Sequence, residues 1–208
     1  MKINNLMEIE NHNQEEIELW NSFKSGEKSA FDALYQKYAK VLYNYGCKLI
    51  SDKTLVLDCI HDLFLDLWNL RDTISTPDSI KFYLIKSLRN LMIKQNNKSN
   101  FNLESNHEMF EFRLPPVLDI EAEIIAEEKD SELKARLQRA YLQLSPYQKE
   151  VLNLRFYEDF SYEQISKILS INEQSVRNLI QRAINKLREL TIIILFLFFL
   201  KYFSDLVS

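Results

Sequence analysis

Residues that interrupt helices are almost missing from this chain. Its 208 residues include only two glycines and four prolines, too few for the many tight turns that a β-sandwich or a β-barrel needs. Long uninterrupted stretches consist instead of Leu, Ile, Lys, Glu and Gln, which favour helices. With 46% hydrophobic and 27% charged residues, the chain has enough apolar side chains to bury a core. The sequence therefore predicts an all-α protein.

Two blocks of helical periodicity are separated by a segment that lacks it. The blocks cover 14–98 and 121–189. The segment between them, 99–120, is acidic, rich in Asn and contains a Pro-Pro pair, which a helix interior does not accept. We therefore predict two small helical domains joined by an acidic linker, and a hydrophobic tail over 190–208.

The first block is predicted to begin with two helices. Periodicity starts near Glu15 and breaks at Gly26, a candidate C-terminal cap. A longer amphipathic helix then runs from Lys28 to Ile50. Its apolar positions recur at spacings of three and four, and they are Phe31, Leu34, Tyr35, Tyr38, Leu42 and Tyr45.

The third predicted helix carries an acidic ridge. Asp58, Asp62 and Asp66 recur every four residues, so they lie along one side of a helix, about 6 Å apart. Ser51 and Asp52 precede this helix and can cap its first turn. An acidic ridge backed by apolar residues suits a basic partner surface.

The fourth predicted helix, about 80–97, is the most basic part of the chain. It follows the loop RDTISTPDS and begins with two aromatic residues. Residues 81–100 contain five basic side chains and no acidic one. This local charge indicates an anionic partner, although a basic helix face can also be simply solvated.

The second block contains a helix-turn-helix pattern, SYEQISKILSINEQSVRNLIQRAINKLR. Ser161 and Gln164 have the spacing of a capping box, and Ser170-Ile171-Asn172 is the predicted turn, with Asn172 capping the next helix. Upstream, Ser145-Pro146 has the pattern of a cap followed by Pro at the first helical position, which predicts a helix to about residue 156. The positions predicted to close the core are Ile165, Leu169, Ile171, Val176, Ile180, Ala183 and Leu187.

Polar side chains remain on the exposed face of the second helix of this pattern. They can donate to base edges and phosphates, and they are Gln174, Ser175, Arg177, Asn178, Gln181 and Arg182. Glu173 either accepts from a cytosine amino group or complements the helix dipole. Because any two-helix hairpin can imitate this pattern, the motif alone does not assign a function.

Four segments in sequence order resemble the extracytoplasmic-function (ECF) sigma factors, small two-domain members of the bacterial sigma family. KSAFDALYQKYAKVLYNYG resembles their first conserved helix, and LDCIHDLFLDLW resembles the helix that docks on core RNA polymerase. KFYLIKSLRNLMIK resembles the promoter-melting and upstream recognition segment. LSPYQKEVLNLRFYEDFSYEQISKILSINEQSVRNLIQRAINKLR resembles the C-terminal promoter-binding domain. The resemblance covers roughly 22–98 and 127–189. It implies a promoter-specificity subunit rather than an enzyme, with no cofactor.

The resemblance also implies a role for each surface. The acidic helix would bind the clamp helices of the largest polymerase subunit, with these residues at or behind the interface: Asp58, His61, Asp62, Phe64 and Trp68. Both aromatic residues of that set can equally be core. The loop and the basic helix would hold the non-template strand of the minus-ten element, which needs stacking and a basic track, through Phe82, Tyr83, Lys86, Arg89, Asn90 and Lys94. The helix-turn-helix would bind the minus-thirty-five element as duplex through the six polar residues of its second helix.

Two features depart from the family pattern. His61 stands where the family usually has Gln, which keeps a hydrogen-bonding side chain. Lys94 and Asn97 stand where the family usually continues with Asp and then Arg, which leaves the promoter preference open.

The tail LTIIILFLFFLKYFSDLVS lies outside the resemblance. Residues 190–200 are apolar apart from Thr191 and would span about 16 Å as a helix, whereas a bilayer core is about 30 Å thick. Three interpretations stay open. The tail is buried against this protein or a partner such as an anti-sigma factor, which could be membrane-bound; it makes a shallow membrane contact; or it is a disordered, aggregation-prone end.

Other kinds of chemistry are not indicated. Cys59 and His61 would point about 200° apart on a helix, so they cannot share a metal ion and no metal site is expected. Two cysteines offer no disulfide framework, and the polar start lacks a signal-peptide core. We therefore expect a cytoplasmic protein. The alternatives to a sigma factor are a stand-alone helix-turn-helix transcriptional regulator and a membrane-associated interaction protein that uses the tail.

Overall fold

All secondary structure is helical over the residues that the computed structural model describes, 14–99 and 140–188. The chain divides into two compact units, Met1–Glu108 and Met109–Ser208. The prediction of an all-α protein with two small helical domains is therefore confirmed. The division falls within the predicted acidic linker. That linker and the hydrophobic tail lie outside the described residues.

Within 14–99, the first unit contains four helices. Helix α1 covers 14–24, α2 covers Lys28–Leu49, α3 covers Lys53–Leu70 and α4 covers Ile80–Ser99. All four lie close to their predicted bounds.

Gly26 makes the turn between α1 and α2. Its φ is +89°, a left-handed conformation that glycine adopts without steric cost. Its amide donates to the carbonyl of Phe23 at 3.0 Å. The prediction of a C-terminal cap at Gly26 is thus confirmed.

Short polar side chains begin the next two helices. The Asp52 carboxylate accepts from the amides of Thr54 at 2.9 Å and Leu55 at 3.1 Å, as predicted for a cap of α3. At the start of α4, the Ser79 hydroxyl accepts from the Phe82 amide at 3.3 Å. Each bond satisfies a backbone donor that has no partner within its own helix.

The core of the first unit lies between α2, α3 and α4, which all contact one another. Gly46 of α2 lies close to α3 and α4, because a Cβ atom there would be 2.6 Å from Cγ1 of Val56 and 3.5 Å from Sδ of Met92. Tyr35 differs from the rest of its predicted stripe, since it is 44% exposed. The main buried residues are Leu34, Tyr38, Leu42, Tyr45, Val56, Cys59, Ile60, Leu63, Leu67, Leu84, Ile85, Leu88 and Met92.

Aromatic rings attach α1 to α2 and α3. Trp20 and Phe23 of α1 are fully buried and lie 5.3 Å apart between ring centroids. Phe23 stacks on Phe31 at 6.2 Å, and Phe31 meets the edge of Trp68 at 5.2 Å. Such pairs are worth about 0.5–1.5 kcal/mol beyond the area they bury.

The described part of the second unit consists of helical segments. Helix α5 is described over 140–142, α6 covers Pro146–Leu152, α7 covers Tyr162–Leu169 and α8 covers 173–188. A π-helical turn, Asn153–Tyr157, follows α6 directly. The sequence predicted a helix to about residue 156, and helical backbone does continue to Tyr157. The π geometry was not predicted: the amide of Glu158 donates to the carbonyl five residues earlier, at Asn153.

Capping boxes begin α6 and α7. The Ser145 hydroxyl accepts from the Gln148 amide while the Gln148 side chain accepts from the Ser145 amide. Ser161 and Gln164 make the same reciprocal pair at 3.1 and 2.9 Å. Both caps were predicted, and both are confirmed.

The helix-turn-helix is formed by α7, a tight turn and α8. Ser170 ends α7 in the left-handed conformation, with φ of +56°, and the Asn172 side chain accepts from the Ser175 amide at 2.8 Å. The predicted core residues Ile165, Leu169, Val176, Ile180 and Ala183 are buried. Ile168 is also buried and was not predicted, whereas Ile171 and Leu187 are only half-buried.

None of the helices within 14–99 or 140–188 is long and apolar enough to cross a membrane.

Candidate functional site

The acidic ridge of α3 lies on the outside of the first unit. Asp58 and His61 are exposed and Asp62 is half-buried, while Cys59, next to Asp58 in the sequence, is fully buried. Burial raises the pKa of the Cys59 thiol to about 11, and the charges of Asp62 and Asp58 add to that effect. The ridge therefore presents the three carboxylates of Asp58, Asp62 and Asp66, with the exposed His61 imidazole beside them.

The two aromatic residues predicted at this surface lie behind it. Phe64 is 3% exposed and its ring meets those of Tyr35 at 4.8 Å and Phe31 at 5.9 Å. Trp68 is half-buried, with the Arg71 guanidinium 4.7 Å from its ring centroid. Both side chains support α3 from the core, and Trp68 also reaches the start of the 71–79 loop.

Two exposed leucines belong to the same face of α3 and were missed from the sequence. Leu57 is 54% exposed and Leu65 is 46% exposed. They lie four residues before and after His61, so they flank it along the helix. Helical periodicity could have revealed them, since neither residue falls on the buried face of α3. They were missed because an apolar side chain is ordinarily assigned to the core.

The acidic ridge adjoins the C-terminal part of α4. The Gln95 side chain donates to the Asp62 carboxylate at 3.3 Å. A groove of about 300 Å³ between the two helices is lined by Asp62, Leu65, Asp66, Asn69, Leu91, Lys94 and Gln95. The basic helix and the acidic ridge are therefore neighbours within one rigid helical unit.

Contacts within the loop and with α3 order the 71–79 segment at its start. The Thr73 hydroxyl donates to the Leu70 carbonyl at 2.8 Å, and the Ile74 amide donates to the same carbonyl at 3.1 Å. Arg71 donates to the Trp68 carbonyl at 2.7 Å. The loop therefore leaves α3 in a defined direction.

The two aromatic residues at the start of α4 have different surroundings. Tyr83 is half-buried with its ring edge-on to Trp20 at 5.8 Å, and burial raises the pKa of its hydroxyl. Phe82 is also half-buried, and the Lys86 ammonium lies 6.0 Å from its ring centroid. Tyr83 is thus partly a core residue, and Phe82 is the aromatic residue with a cation beside it.

The basic residues of α4 do not share one face. Asn90 and Lys94 are exposed and line a groove of about 290 Å³ together with Asp66 and Ser87. Arg89, by contrast, is only 5% exposed, because it lies one turn from Ile85 and Met92 on the buried side. Of the residues predicted on α4 to contact the strand, Lys86, Asn90 and Lys94 are therefore the polar ones that an anion can reach.

The polar residues predicted on α8 are accessible. Ser175 is half-buried, and the exposed ones are Gln174, Arg177, Asn178, Gln181 and Arg182. Two side-chain hydrogen bonds order this face, and each joins residues one helical turn apart. Gln174 donates to Asn178 at 3.1 Å, and Gln181 donates to Asn185 at 3.0 Å. Glu173 lies 3.4 Å from Arg177 in an ion pair. This face matches the donors and acceptors that base edges and phosphates require.

Tyr162 and Arg155 were missed from the sequence and lie beside this face. The guanidinium carbons of Arg177 and Arg155 are 4.4 and 5.4 Å from the Tyr162 ring centroid. These three residues come from α8, the π turn and α7, and periodicity within one helix does not reveal such contacts.

Two protein-family models match the chain. Sigma-70 region 2 matches 34–100 and Sigma-70, region 4 matches 134–187. Together they cover more than half of the chain. The first match contains α3 and α4, and the second contains the helix-turn-helix.

Three similar curated proteins are all described as ECF RNA polymerase sigma factors. ECF RNA polymerase sigma factor BldN of Streptomyces coelicolor is 27% identical over 180 residues, which are 84% of this chain and 65% of BldN. The chain thus spans just under two thirds of BldN. ECF RNA polymerase sigma factor SigL of Mycobacterium tuberculosis is 24% identical over 79% of this chain and 90% of SigL. ECF RNA polymerase sigma factor SigX of Bacillus subtilis is 22% identical over 78% of this chain and 84% of SigX.

Two solved structures share the fold. CnrH in complex with the cytosolic domain of CnrY has a TM-score of 0.52 at 20% identity, over 84% of this chain and 96% of that chain. The sigma factor RpoE in complex with the anti-sigma factor NepR from Bartonella quintana has a TM-score of 0.52 at 21% identity, over 77% and 96%. Both family matches and the similar ECF sigma factors show that the chain belongs to the sigma-70 family of RNA polymerase sigma factors, in its extracytoplasmic-function group.

Proposed function

We propose that this chain directs promoter-specific initiation by binding core RNA polymerase and promoter DNA. The observation that carries the proposal is the pairing of surfaces within the first unit. An exposed acidic ridge on α3 adjoins the helix that carries exposed Lys94 and half-buried Lys86 and Phe82. A protein that only binds duplex DNA through a helix-turn-helix has no need for this pairing.

The acidic ridge is proposed to bind the polymerase. Asp58, His61 and Asp62 would face the basic clamp helices, and the exposed Leu57 and Leu65 would add apolar contact around them. Phe64 and Trp68 would act from behind, by fixing the position of α3. Complementary charge of this kind favours fast and specific association.

The loop 71–79 and α4 are proposed to hold the separated non-template strand at the minus-ten element. Phe82 would stack on a base, and Lys86, Asn90 and Lys94 would follow the phosphates. Tyr83 and Arg89 would support the helix from its buried side. No catalytic step is part of the proposal, because binding energy offsets the few kcal/mol needed for each unstacked step.

The helix-turn-helix is proposed to bind the minus-thirty-five element as duplex. Helix α8 would enter the major groove with Gln174, Ser175, Arg177, Asn178, Gln181 and Arg182 toward the bases and phosphates. An anti-sigma factor is a further proposed partner. It is supported by the solved structures of similar fold in which CnrH is bound to CnrY and RpoE to NepR.

Run-off transcription with purified core polymerase on a genomic promoter library tests this proposal. We expect promoter-specific transcripts with the wild-type chain and their loss with Asp62→Arg, which places a cation on the acidic ridge. Asp32→Arg is the matched control, because it makes the same charge change at an exposed position of α2 and should leave the transcripts in place.

Circular dichroism would verify that Asp62→Arg stays helical, since this residue also accepts a hydrogen bond from Gln95. Equal transcription by wild type and Asp62→Arg would overturn the docking role of the ridge. Duplex binding without any specific initiation by the wild type would instead favour a stand-alone helix-turn-helix regulator.

A further inference from the structure

Tyr162 lies between two arginines of different elements. It is the first residue of α7 and directly follows the Ser161 cap. Its ring centroid is 4.4 Å from the guanidinium carbon of Arg177 in α8 and 5.4 Å from that of Arg155 in the π turn. Both distances lie within the range of about 6 Å in which a cation is attracted to an aromatic ring.

Stacking on a ring leaves the hydrogen-bonding capacity of an arginine intact. A guanidinium group presents its flat face to the ring, whereas its five N–H donors point outward in its own plane. Arg177 held over Tyr162 can therefore still donate to a phosphate or a base edge. The stacked side chain has less rotational freedom before binding, so ordering it costs less conformational entropy when DNA binds.

The ion pair of Arg177 with Glu173 cannot hold it in the same way. Both side chains are about half exposed and 3.4 Å apart, and exposed pairs one turn apart on a helix contribute little. A phosphate approaching Arg177 would compete with the Glu173 carboxylate for the same donors. The neutral Tyr162 ring does not compete, so the stack can persist in the DNA complex.

Arg155 occupies the other cationic position beside the ring. Its guanidinium donates to the Phe160 carbonyl at 3.1 Å and lies 3.6 Å from the exposed Asp159 carboxylate. Arg155 is thereby anchored to the segment that precedes α7. Two like charges beside one ring repel one another, and a nearby anion relieves that repulsion.

We propose that Tyr162 is a positioning residue for DNA binding, whose ring holds the Arg177 guanidinium ready to contact duplex DNA. This inference rests on the part of the proposed function that assigns DNA binding to α8. It makes the affinity of α8 for DNA depend on a residue outside that helix.

The test is the affinity of the full-length protein for a fluorescently labelled random-sequence DNA duplex at low salt, measured by anisotropy. Tyr162→Leu should weaken binding by about two- to fivefold, the range that an exposed cation–π contact supplies. Tyr162→Phe, which keeps the ring, should bind as the wild type does. Tyr147→Leu, the same change in α6, should have no effect.

A double-mutant cycle separates positioning from a general loss of structure. If Tyr162 acts through Arg177, then adding Tyr162→Leu to Arg177→Ala causes no further loss of affinity. The Arg177 side-chain proton signals should also shift downfield in Tyr162→Leu, because they leave the shielding region of the ring.

Three results would overturn the inference. They are an unchanged affinity of Tyr162→Leu, an equal loss in Tyr162→Phe, and independent losses in the double mutant. Because polymerase is absent from this assay, those results leave initiation at promoters untouched. A wild-type protein that fails to bind any duplex would instead overturn the proposed DNA-binding role of α8 together with this inference.

Discussion

Side chains that look equivalent in the sequence can differ in their burial. Arg89 and Lys94 belong to the same basic run of α4, yet Arg89 is buried and Lys94 exposed. The long apolar stem of arginine allows it to lie among core residues, so its charge alone does not place it on the surface. Phe64 of α3 is also buried, so it supports the acidic ridge from inside instead of forming part of it.

Cys59 and Cys47 should react differently with thiol reagents. The Cys59 thiol is fully buried and has a pKa of about 11, so at pH 8 about one molecule in a thousand carries the reactive thiolate. Cys47 is only half-buried. We expect iodoacetamide to label Cys47 in the folded protein and both cysteines in urea, as measured by mass spectrometry.

A Cys47→Ala variant isolates the buried thiol. Rapid labelling of this folded variant would contradict the assigned burial of Cys59.

The raised pKa of Cys59 also makes the stability of the fold depend on pH. The unfolded thiol loses its proton near pH 9 and the folded thiol only near pH 11, so the contribution of this group to folding declines as the pH rises through that range.

Gly46 should not tolerate even a methyl group. A Cβ there would lie 2.6 Å from Cγ1 of Val56, which is fully buried and cannot move aside freely. Overpacking costs about 1–3 kcal/mol and the better helix propensity of alanine returns roughly 1 kcal/mol. The difference is a loss of up to about 2 kcal/mol, and we expect Gly46→Ala to lower the free energy of unfolding by about 1 kcal/mol.

Urea denaturation followed by tryptophan fluorescence measures this change, because Trp20 and Trp68 both lie in the first unit. Val56→Ala removes the atom that clashes. In its background the added cost of Gly46→Ala should largely disappear. Purely additive effects would show that the close approach of α2 and α3 does not cause the loss.

At the scale of elements, the sequence revealed helix beginnings better than helix interiors. Asp52, Ser145 and Ser161 were predicted as caps from short local patterns, and local hydrogen bonds confirm them. The π turn was missed because its residues, NLRFY, are compatible with a regular helix. Leu154 within the turn and Phe160 just after it are both buried, and such packing is not visible in a local pattern.

The cap of α7 should contribute measurably to the second unit. Ser161→Ala removes the acceptor of the Gln164 amide and breaks the reciprocal pair, so we expect a loss of about 1 kcal/mol in the free energy of unfolding. Urea denaturation followed by circular dichroism measures it, and the tryptophan transition of the first unit should not move.

Ser166→Ala is the matched control for that change. The Ser166 hydroxyl donates to the Glu163 carbonyl within the same helix at 2.7 Å, which does not close a helix end. This variant should therefore be close to neutral. An equal loss in both serine variants would contradict the special role of the Ser161 cap.

At the scale of the whole molecule, the net charge conceals the functional pattern. The chain has a formal net charge of −4, which by itself does not indicate a DNA-binding protein. The local charge of residues 81–100 located the basic α4, and the four-residue spacing of Asp58, Asp62 and Asp66 located the acidic ridge of α3. The order of the helices along the chain and the division into two helical domains could be predicted from such local patterns.

Contacts between elements could not be predicted in the same way. The Asp62–Gln95 hydrogen bond joins residues of two helices, and the stack of Arg177 on Tyr162 joins two more. Helical periodicity gives the faces of one helix, and the rotation of that helix in the bundle depends on its neighbours.

The π turn also sets where the chain between the two serine caps could become shorter. A π turn holds one residue more than an α turn, so deleting one residue from Asn153–Tyr157 would allow regular helix to continue with the following chain in about its present direction. The same deletion within Pro146–Leu152, which is regular α-helix, would rotate everything beyond it by about 100° around the axis of α6 and draw it in by about 1.5 Å. The interval between Ser145 and Ser161 therefore contains one site at which a residue could be lost without turning α7 away from its present direction.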